Sequence, residues 1–388
     1  MPPSLFLICL LTFVHYVAAQ MRGPIIPLYA VEHGATATGV GLIVGAHMML
    51  AAVGSIPFGR AADVWGRRAF VLGGIGVGAA TSALLPFGES TWALALIYGL
   101  AGLGVAAFSP SALSLVVDAA PPGRTGHAFA WYATAHYGAI GIGPFVGGLV
   151  AEAGSLRLAF LGSAVGLALA FTVGLALPRR SPAAELRTAR AFGWTDVTGN
   201  AAVWAGWILA ASGLLVQGVV FTFLPLLAHA RGQSPAAIGL VFLVLGLANT
   251  AARIPAGWVI DRSGRRGLYA FGGMVVAAAV TALIPHVRDY GTLLALVGLF
   301  GAVSGVAFVA ISVDLAEAAT PATRGLVMGG YSTALYLGLA LGSLVLGPVI
   351  TRDGYASGFA VGGALGGFGA LLAAILRVKA GRGADRVA

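Results

Sequence analysis

The sequence predicts an all-α polytopic membrane protein: twelve transmembrane helices in two pseudo-symmetric six-helix bundles, with both termini in the cytoplasm. Three observations lead there. Charge is too sparse to cover a water-facing surface, long apolar runs alternate with short basic breaks, and the second half of the chain repeats the first.

Of the 388 residues, 59% are hydrophobic and 9% charged, against roughly 25% charged in soluble domains. Ser90–Val117, Gly291–Val313 and Gly354–Leu376 contain no Asp, Glu, Lys or Arg. A hydrocarbon core of about 30 Å needs about 20 apolar residues as helix, so each run can span it. The net charge of +9 would suggest nucleic acid in a soluble chain. Here the basic residues mark the breaks between apolar runs, so no nucleic-acid partner is expected and the lipid bilayer is. The single Cys9 excludes an internal disulfide.

Apolar runs lie near 4–30, 38–58, 69–87, 91–117, 125–150, 156–177, 200–228, 236–258, 268–286, 291–314, 325–350 and 356–376. In lipid the backbone must be satisfied within each segment, which makes these helices. Residues 1–20 end in Val17-Ala18-Ala19, like a signal cleavage site, but no Lys or Arg precedes the apolar run. The segment therefore reads as the first helix.

Lys and Arg divide unevenly between alternate loops. One set holds Arg60, Arg67, Arg68, Arg124, Arg179, Arg180, Arg187, Arg190, Arg262, Arg265, Arg266 and Arg324. The tail adds Arg377, Lys379, Arg382 and Arg386. The opposite loops hold Arg157, Arg231, Arg288 and Arg352. The positive-inside rule then places both termini in the cytoplasm, and a multi-pass position in the inner (plasma) membrane is expected.

The halves repeat at a nearly constant offset. Gly34 recurs as Gly232, and Gly59, Asp63, Gly66, Arg67 and Arg68 recur as Gly257, Asp261, Gly264, Arg265 and Arg266, all 198 residues later. Tyr132-Ala-Thr-Ala-His136-Tyr137 returns as Tyr331-Ser-Thr-Ala-Leu335-Tyr336 at an offset of 199. Copies with six spans each share one topology and are parallel repeats. The expected domains are residues 1–178 and 199–388, joined by a polar, Arg-rich cytoplasmic linker at 179–198.

Gly59-Arg-Ala-Ala-Asp63-Val-Trp-Gly66-Arg67-Arg68 and Gly257-Trp-Val-Ile-Asp261-Arg262-Ser-Gly264-Arg265-Arg266 resemble the signature Gly-x-x-x-Asp-Arg-x-Gly-Arg-Arg of the major facilitator superfamily. The resemblance extends to length, span count, linker and repeat. It implies a transporter working by alternating access, with these motifs latching the cytoplasmic ends of the two halves. Glycine permits tight turns at the membrane edge, and exposed ion pairs are worth only about 0.2–1 kcal/mol each, which suits a latch that must open. The first copy departs from the signature, with Val64 where the second keeps Arg262. In span 5, Gly143-Pro144-Phe-Val-Gly147-Gly148 resembles a helix-bending Gly-Pro-x-x-Gly-Gly element of the family's efflux branch. The span-4 arginine common in its proton-coupled drug antiporters is absent; Tyr98 aligns there.

Ionisable groups inside a membrane are costly and point to function. Glu32, Asp118, Glu152, Asp314 and Glu317 all fall toward helix ends, leaving His15 and Arg22 in span 1, His47 in span 2, His136 in span 5 and Arg253 in span 8. His15, Arg22 and Tyr29 are spaced by seven residues, which puts them on one face of a continuous helix. Tyr132 and His136 share a face one turn apart. The second half replaces His15, Arg22, His47 and His136 with Gly213, Val220, Leu245 and Leu335, so these groups break the pseudosymmetry. The substrate-binding residues expected are therefore His15, Arg22, His47 and His136 as a net-positive site, with Tyr29, Tyr132 and Tyr137 as amphipathic walls. The alternatives are that Arg22 snorkels to the interface and that the histidines are packing residues. Asn249 reads as an interhelical hydrogen-bonding residue, and Arg253 as a partner of the second motif.

A site with Arg and His and no mid-membrane acid should take an anionic or neutral polar small molecule. Histidine titrates near neutrality and could carry a coupled proton; the Gly-Pro element points to export and to an antiporter. A hydrophobic-drug exporter is the second reading, and a non-transporting sensor the third. No enzyme is expected, because neither His-Glu-x-x-His nor a paired intramembrane acid occurs. No Gly-x-x-x-x-Gly-Lys-Ser/Thr loop occurs either, which leaves gradients or a separate partner as the energy source. No cofactor and no metal is expected, and the chain should act as a monomer.

Overall fold

The computed structural model describes residues 2–121, 124–178, 197, 199–320 and 323–384. The linker expected at 179–198 thus lies, apart from residue 197, outside the described residues. Those described are helical, with no strand among them. The helices are α1 (Pro3–Gln20), α2 (Ile25–Glu32), α3 (Ala37–Trp65), α4 (Arg67–Leu84), α5 (Thr91–Ala119) and α6 (Thr125–Ala153). They continue as α7 (Leu156–Gly174), α8 (Ala201–Ala230), α9 (Pro235–Ser263), α10 (Arg266–Leu283), α11 (Tyr290–Ala318) and α12 (Arg324–Ala384).

Ten stretches among the described residues are long and apolar enough to cross a membrane. Two features separate this from the twelve spans expected. Polar His127, Tyr132, His136 and Tyr137 dilute the apolar character of α6, which is not among the ten. The runs expected at 325–350 and 356–376 lie in one helical segment, α12, interrupted only at Gly354, whose φ of 83° is not helical. The expected span 1 is broken too. The turn Met21–Pro24 separates α1 from α2, although both count as a single apolar stretch. Pro24 cannot continue a helical hydrogen-bond ladder, and the chain resumes with the Ile26 amide donating to the Arg22 carbonyl (2.9 Å).

The sequence repeat is also a backbone repeat. α3 and α9 each span 29 residues, as do α5 and α11, while α4 and α10 each span 18. Gly34 and Gly232 turn the chain with φ of 82° and 81°, and Gly66 and Gly264 with φ of 101° and 62°. Helix caps recur with changed chemistry. Thr36 accepts the Gly39 amide and Ser234 accepts the Ala237 amide, while Ser90 and Asp289 accept those of Ala93 and Thr292. Each satisfies an otherwise orphaned donor of a first turn. The Thr292 amide and hydroxyl hold the Asp289 carboxyl below the usual range.

Gly66 is needed for its conformation, since nothing lies within 4 Å of where a Cβ would stand. Gly66→Ala is expected to lower stability by about 1–3 kcal/mol. Thermal unfolding in detergent would show this as a lower midpoint with unchanged helicity.

The described chain forms two compact units. Met1–Thr188 with Phe221–Gly246 form the first, and Ala189–Val220 with Leu247–Ala388 the second, each over its described residues. In the first, α3 and α4 pack on α5, and α1 packs on α6 and α7; in the second, α10 packs on α11 and α12. Lipid supplies no hydrophobic drive between helices, so close approach through small residues holds such bundles together. α6 shows this: a Cβ on Gly143 would stand 2.6 Å from the Val17 carbonyl oxygen, and one on Gly147 would overlap that of Met21. In the Gly143, Pro144, Gly147, Gly148 element the glycines pack closely against backbone, and α6 continues through Pro144.

Candidate functional site

The polar residues expected to share one site separate into two clusters in the first unit. The first surrounds Arg22, which stands in the turn between α1 and α2, turns inward and is 3% exposed. Its Nη1 donates to the Ser82 hydroxyl (2.6 Å) and the Gly78 carbonyl (3.3 Å) of α4. Its guanidinium carbon lies 5.5 Å from the centroid of the Tyr98 ring of α5. His47 of α3 stacks on the Tyr98 ring, with centroids 4.2 Å apart, and its Nδ1 donates to the Tyr98 carbonyl (2.8 Å). Ser163 of α7 completes the group, 3.2 Å from Ser82 Oγ.

No ion pair to Arg22 occurs among the described residues. A guanidinium in a bilayer interior needs compensation; Arg22 receives it from a hydroxyl, a carbonyl and the negative face of an aromatic ring. The alternative of snorkelling to the interface does not hold in this structure.

The second cluster joins α1, α5 and α6. His15 is 3% exposed and stacks on Phe108 at 3.8 Å, and neither ring nitrogen has a hydrogen-bond partner among the described residues. Tyr16 meets His136 edge-on at 4.1 Å, and its hydroxyl lies 2.9 Å from Ser109 Oγ. His136 also stacks over Tyr132 at 6.0 Å and meets Tyr137 at 4.9 Å. Tyr132, His136 and Tyr137 are half-buried, whereas His15 and Tyr16 are buried.

Tyr29 joins neither cluster. Its hydroxyl donates to the Pro86 carbonyl (2.8 Å), and its ring packs against Phe160 and His33. The Met21–Pro24 turn, which holds Arg22, separates the helix that carries His15 from the one that carries Tyr29. Four partners are absent from the sequence expectation: Tyr98, Ser82, Ser163 and Tyr16. Ser82 of α4 bonds Arg22 directly, and Ser163 of α7 meets Ser82. The Ser82–Arg22 pairing leaves no mark in spacing, since 60 residues separate them.

The Arg-rich motifs make contacts inside their own units. Arg67 pairs with Asp118 and, at 2.9 Å, with Asp63; Arg68 donates to the Leu175 carbonyl (2.7 Å). In the second unit Arg266 pairs with Glu317, and Arg377 pairs with Asp314. Asp261, Arg262 and Arg265 are exposed. The copies therefore differ by one residue: Arg67 corresponds to Arg265, yet Arg266 carries the equivalent pair. Gly59 and Gly257 have room for a Cβ, whereas Gly66 and Gly264 make the turns. Asn249 bridges helices as expected, its amide donating to the Gly301 carbonyl (3.0 Å), and it also accepts Arg253 Nε (2.8 Å). A separate groove of about 560 Å³ runs between α3, α4 and α5; its lining, including Phe58, Phe70, Gly73 and Leu100, is apolar apart from Thr81.

Among curated proteins the chain is similar to an uncharacterized MFS-type transporter of Methanocaldococcus jannaschii. The identity is 27% over 157 residues, which is 40% of this chain and 41% of that protein. Multidrug resistance protein MdtG of Escherichia coli is 28% identical over 169 residues, 42% of this chain and 41% of its own length. The matched region thus spans about two fifths of these relatives. Among solved structures, the nucleoside transporter NupG superposes with a TM-score of 0.79 at 14% identity, covering 96% of this chain and 99% of that one. The human organic anion transporter MFSD10 superposes with a TM-score of 0.68 at 19% identity, covering 96% and 100%; at these identities the likeness is one of fold. The family model described as Major Facilitator Superfamily matches residues 8–233 and again 207–387. Together with the repeated helices and paired motifs, this places the chain in the Major Facilitator Superfamily.

Proposed function

We propose that the chain exports a small anionic or neutral polar solute by alternating access, with a histidine carrying the coupled proton. The observation that carries this reading is the set of buried ionisable groups among the described residues of the first unit: Arg22, His15 and His47, with no buried carboxylate among them. Such a set disfavours a cation and offers an anion its missing counter-charge. The break in the first span strengthens it, because discontinuous helices commonly form transporter sites and direct helix N-termini at anionic groups. Arg22 lies in that break, and the first turn of α2 has no side-chain cap. Export is supported by the Gly-Pro-x-x-Gly-Gly resemblance and by the name of the MdtG relative. On this reading the chain acts as a monomer in the plasma membrane, with both termini and the Arg-rich motifs cytoplasmic, as its loop arginines support. Its halves are residues 1–178 and 199–388, and the motifs act as the cytoplasmic gate.

A hydrophobic-drug exporter is the second reading. It is favoured by the same relative and by the aromatic wall of Tyr16, Tyr132 and Tyr137, which could bind by apolar burial alone.

A thermal-shift screen of the purified protein against compounds grouped by charge separates the two. A ligand at 100 times its dissociation constant stabilises by about 2.7 kcal/mol. Stabilisation by carboxylates or phosphates supports the first reading; stabilisation by lipophilic cations alone replaces it with the second. For proton coupling, His136→Gln is expected to abolish uphill transport driven by a pH gradient in proteoliposomes while leaving downhill counterflow. Unchanged accumulation in both His136→Gln and His15→Gln removes histidine from the coupling.

A further inference from the structure

The seam between α6 and the start of α9 joins the two sequence repeats, since α6 belongs to the first and α9 to the second. Both lie in the first compact unit, which takes Phe221–Gly246 from the second repeat. The seam is made of glycine. A Cβ on Gly141 would stand 3.2 Å from Gly246 Cα, one on Gly239 2.8 Å from the Pro144 carbonyl oxygen, and one on Gly148 would overlap the Pro235 carbonyl. The pairs run antiparallel, 141 with 246, 144 with 239 and 148 with 235, and bring backbone against backbone. Glycine faces of this kind separate and re-form without interlocked side chains.

At the end of the seam stands Glu152. Its Oε2 accepts the Ser234 hydroxyl (2.6 Å) and the Ala236 amide (2.9 Å). The carboxylate of one repeat thus caps the first turn of a helix of the other, where negative charge is favoured. Ser234 also caps its own helix through the Ala237 amide, so one hydroxyl connects both ends of the contact. Pseudosymmetry places Thr36 and Thr351 at the equivalent positions, and neither can supply a charge. Among the described residues the acidic contact occurs at one of the two equivalent places, at the Arg-poor ends of the spans.

We infer that Glu152 is the latch of the Arg-poor, outward-facing gate: it holds the glycine seam of α6 and α9 closed through Ser234 and the first turn of α9, and its release opens the solute path on that side. This rests on the alternating-access reading above. Glu152 is exposed and acts through the backbone it caps, which makes it a positioning residue of the transport cycle. Hydrogen bonds to an exposed carboxylate are individually weak, as a latch broken in every cycle requires.

The test is a labelling rate, which needs no substrate. Leu243, on the seam beside Gly141, is replaced by cysteine in a Cys9→Ser background and reacted in sealed cells with a membrane-impermeant maleimide. Low reactivity is expected in the parent, and a rise of roughly threefold or more in Glu152→Ala. Ser234→Ala should give a rise of the same sign, and the double variant no more than the larger single one, because both remove one contact. Should Glu152→Ala yield no folded protein, Ser234→Ala carries the test. Parent-level labelling in the folded single variants overturns the latch. Raised labelling with no solute flux in any assay keeps the latch and overturns the transport assignment instead.

Discussion

Replacing Arg22 with methionine is expected to leave the protein at least as heat-stable as the parent while weakening binding of an anionic solute about 30- to 100-fold. The two effects separate because the guanidinium is a burden on the fold. An arginine at the centre of a membrane helix costs about 2.5–3.5 kcal/mol, and here it finds no carboxylate to offset that cost. Its removal also orphans nothing in α4. Ser82 Oγ still donates to the Gly78 carbonyl (2.8 Å) and still faces Ser163 Oγ. Methionine fills similar length and adapts to irregular space. A charge-assisted hydrogen bond to the solute, by contrast, is worth about 1.5–3 kcal/mol and has no substitute. Melting midpoints with and without a carboxylate ligand test both halves. A large fall in stability without ligand would make Arg22 a structural pivot and take the anchor from the anionic reading.

Gly147→Leu is expected to abolish folded protein, at a cost of about 3 kcal/mol or more from overpacking. A Cβ there would overlap the Met21 carbonyl, and neighbouring Gly143 already meets Val17 and Gln20. The collision involves backbone at the end of α1, beside the turn that carries Arg22, so no side-chain rotation relieves it. Gly138, on the same helix with nothing within 4 Å of its Cβ position, is the control: Gly138→Ala should be neutral or slightly stabilising, alanine being the better helix former. Size-exclusion profiles in detergent distinguish the pair. A monodisperse Gly147→Leu protein would mean that α6 can withdraw from α1 at little cost.

Much of the architecture was legible before any coordinates. Helix positions follow from apolar run length, and the duplication from residue identities 198 and 199 apart. The glycine turns at 34, 66, 232 and 264 follow from a conformation that only glycine adopts freely. All of these are local properties, or properties of one stretch compared with another. The presence of Arg22, His15, His47 and His136 inside apolar runs was legible too, because an ionisable group there is visible without knowing its neighbours.

Which groups meet was decided by the tertiary structure alone. Helical periodicity assigns a residue to a face but not to a partner, so Ser82, Ser163, Tyr98 and Tyr16 could not be read from spacing. Arg22 stands in the Met21–Pro24 turn between the helices that carry His15 and Tyr29, and Tyr29 binds the Pro86 carbonyl. The turn before α10 is one residue longer than the turn before α4, so Arg266 rather than Arg265 takes the acidic partner in the second motif. Glu152, which looked like an ordinary helix-end carboxylate, met Ser234 only because glycines let α6 and α9 approach backbone to backbone. Local sequence determines how each segment satisfies its own backbone in lipid; the contacts between segments depend on how closely they approach, and that is settled only when all the helices pack at once.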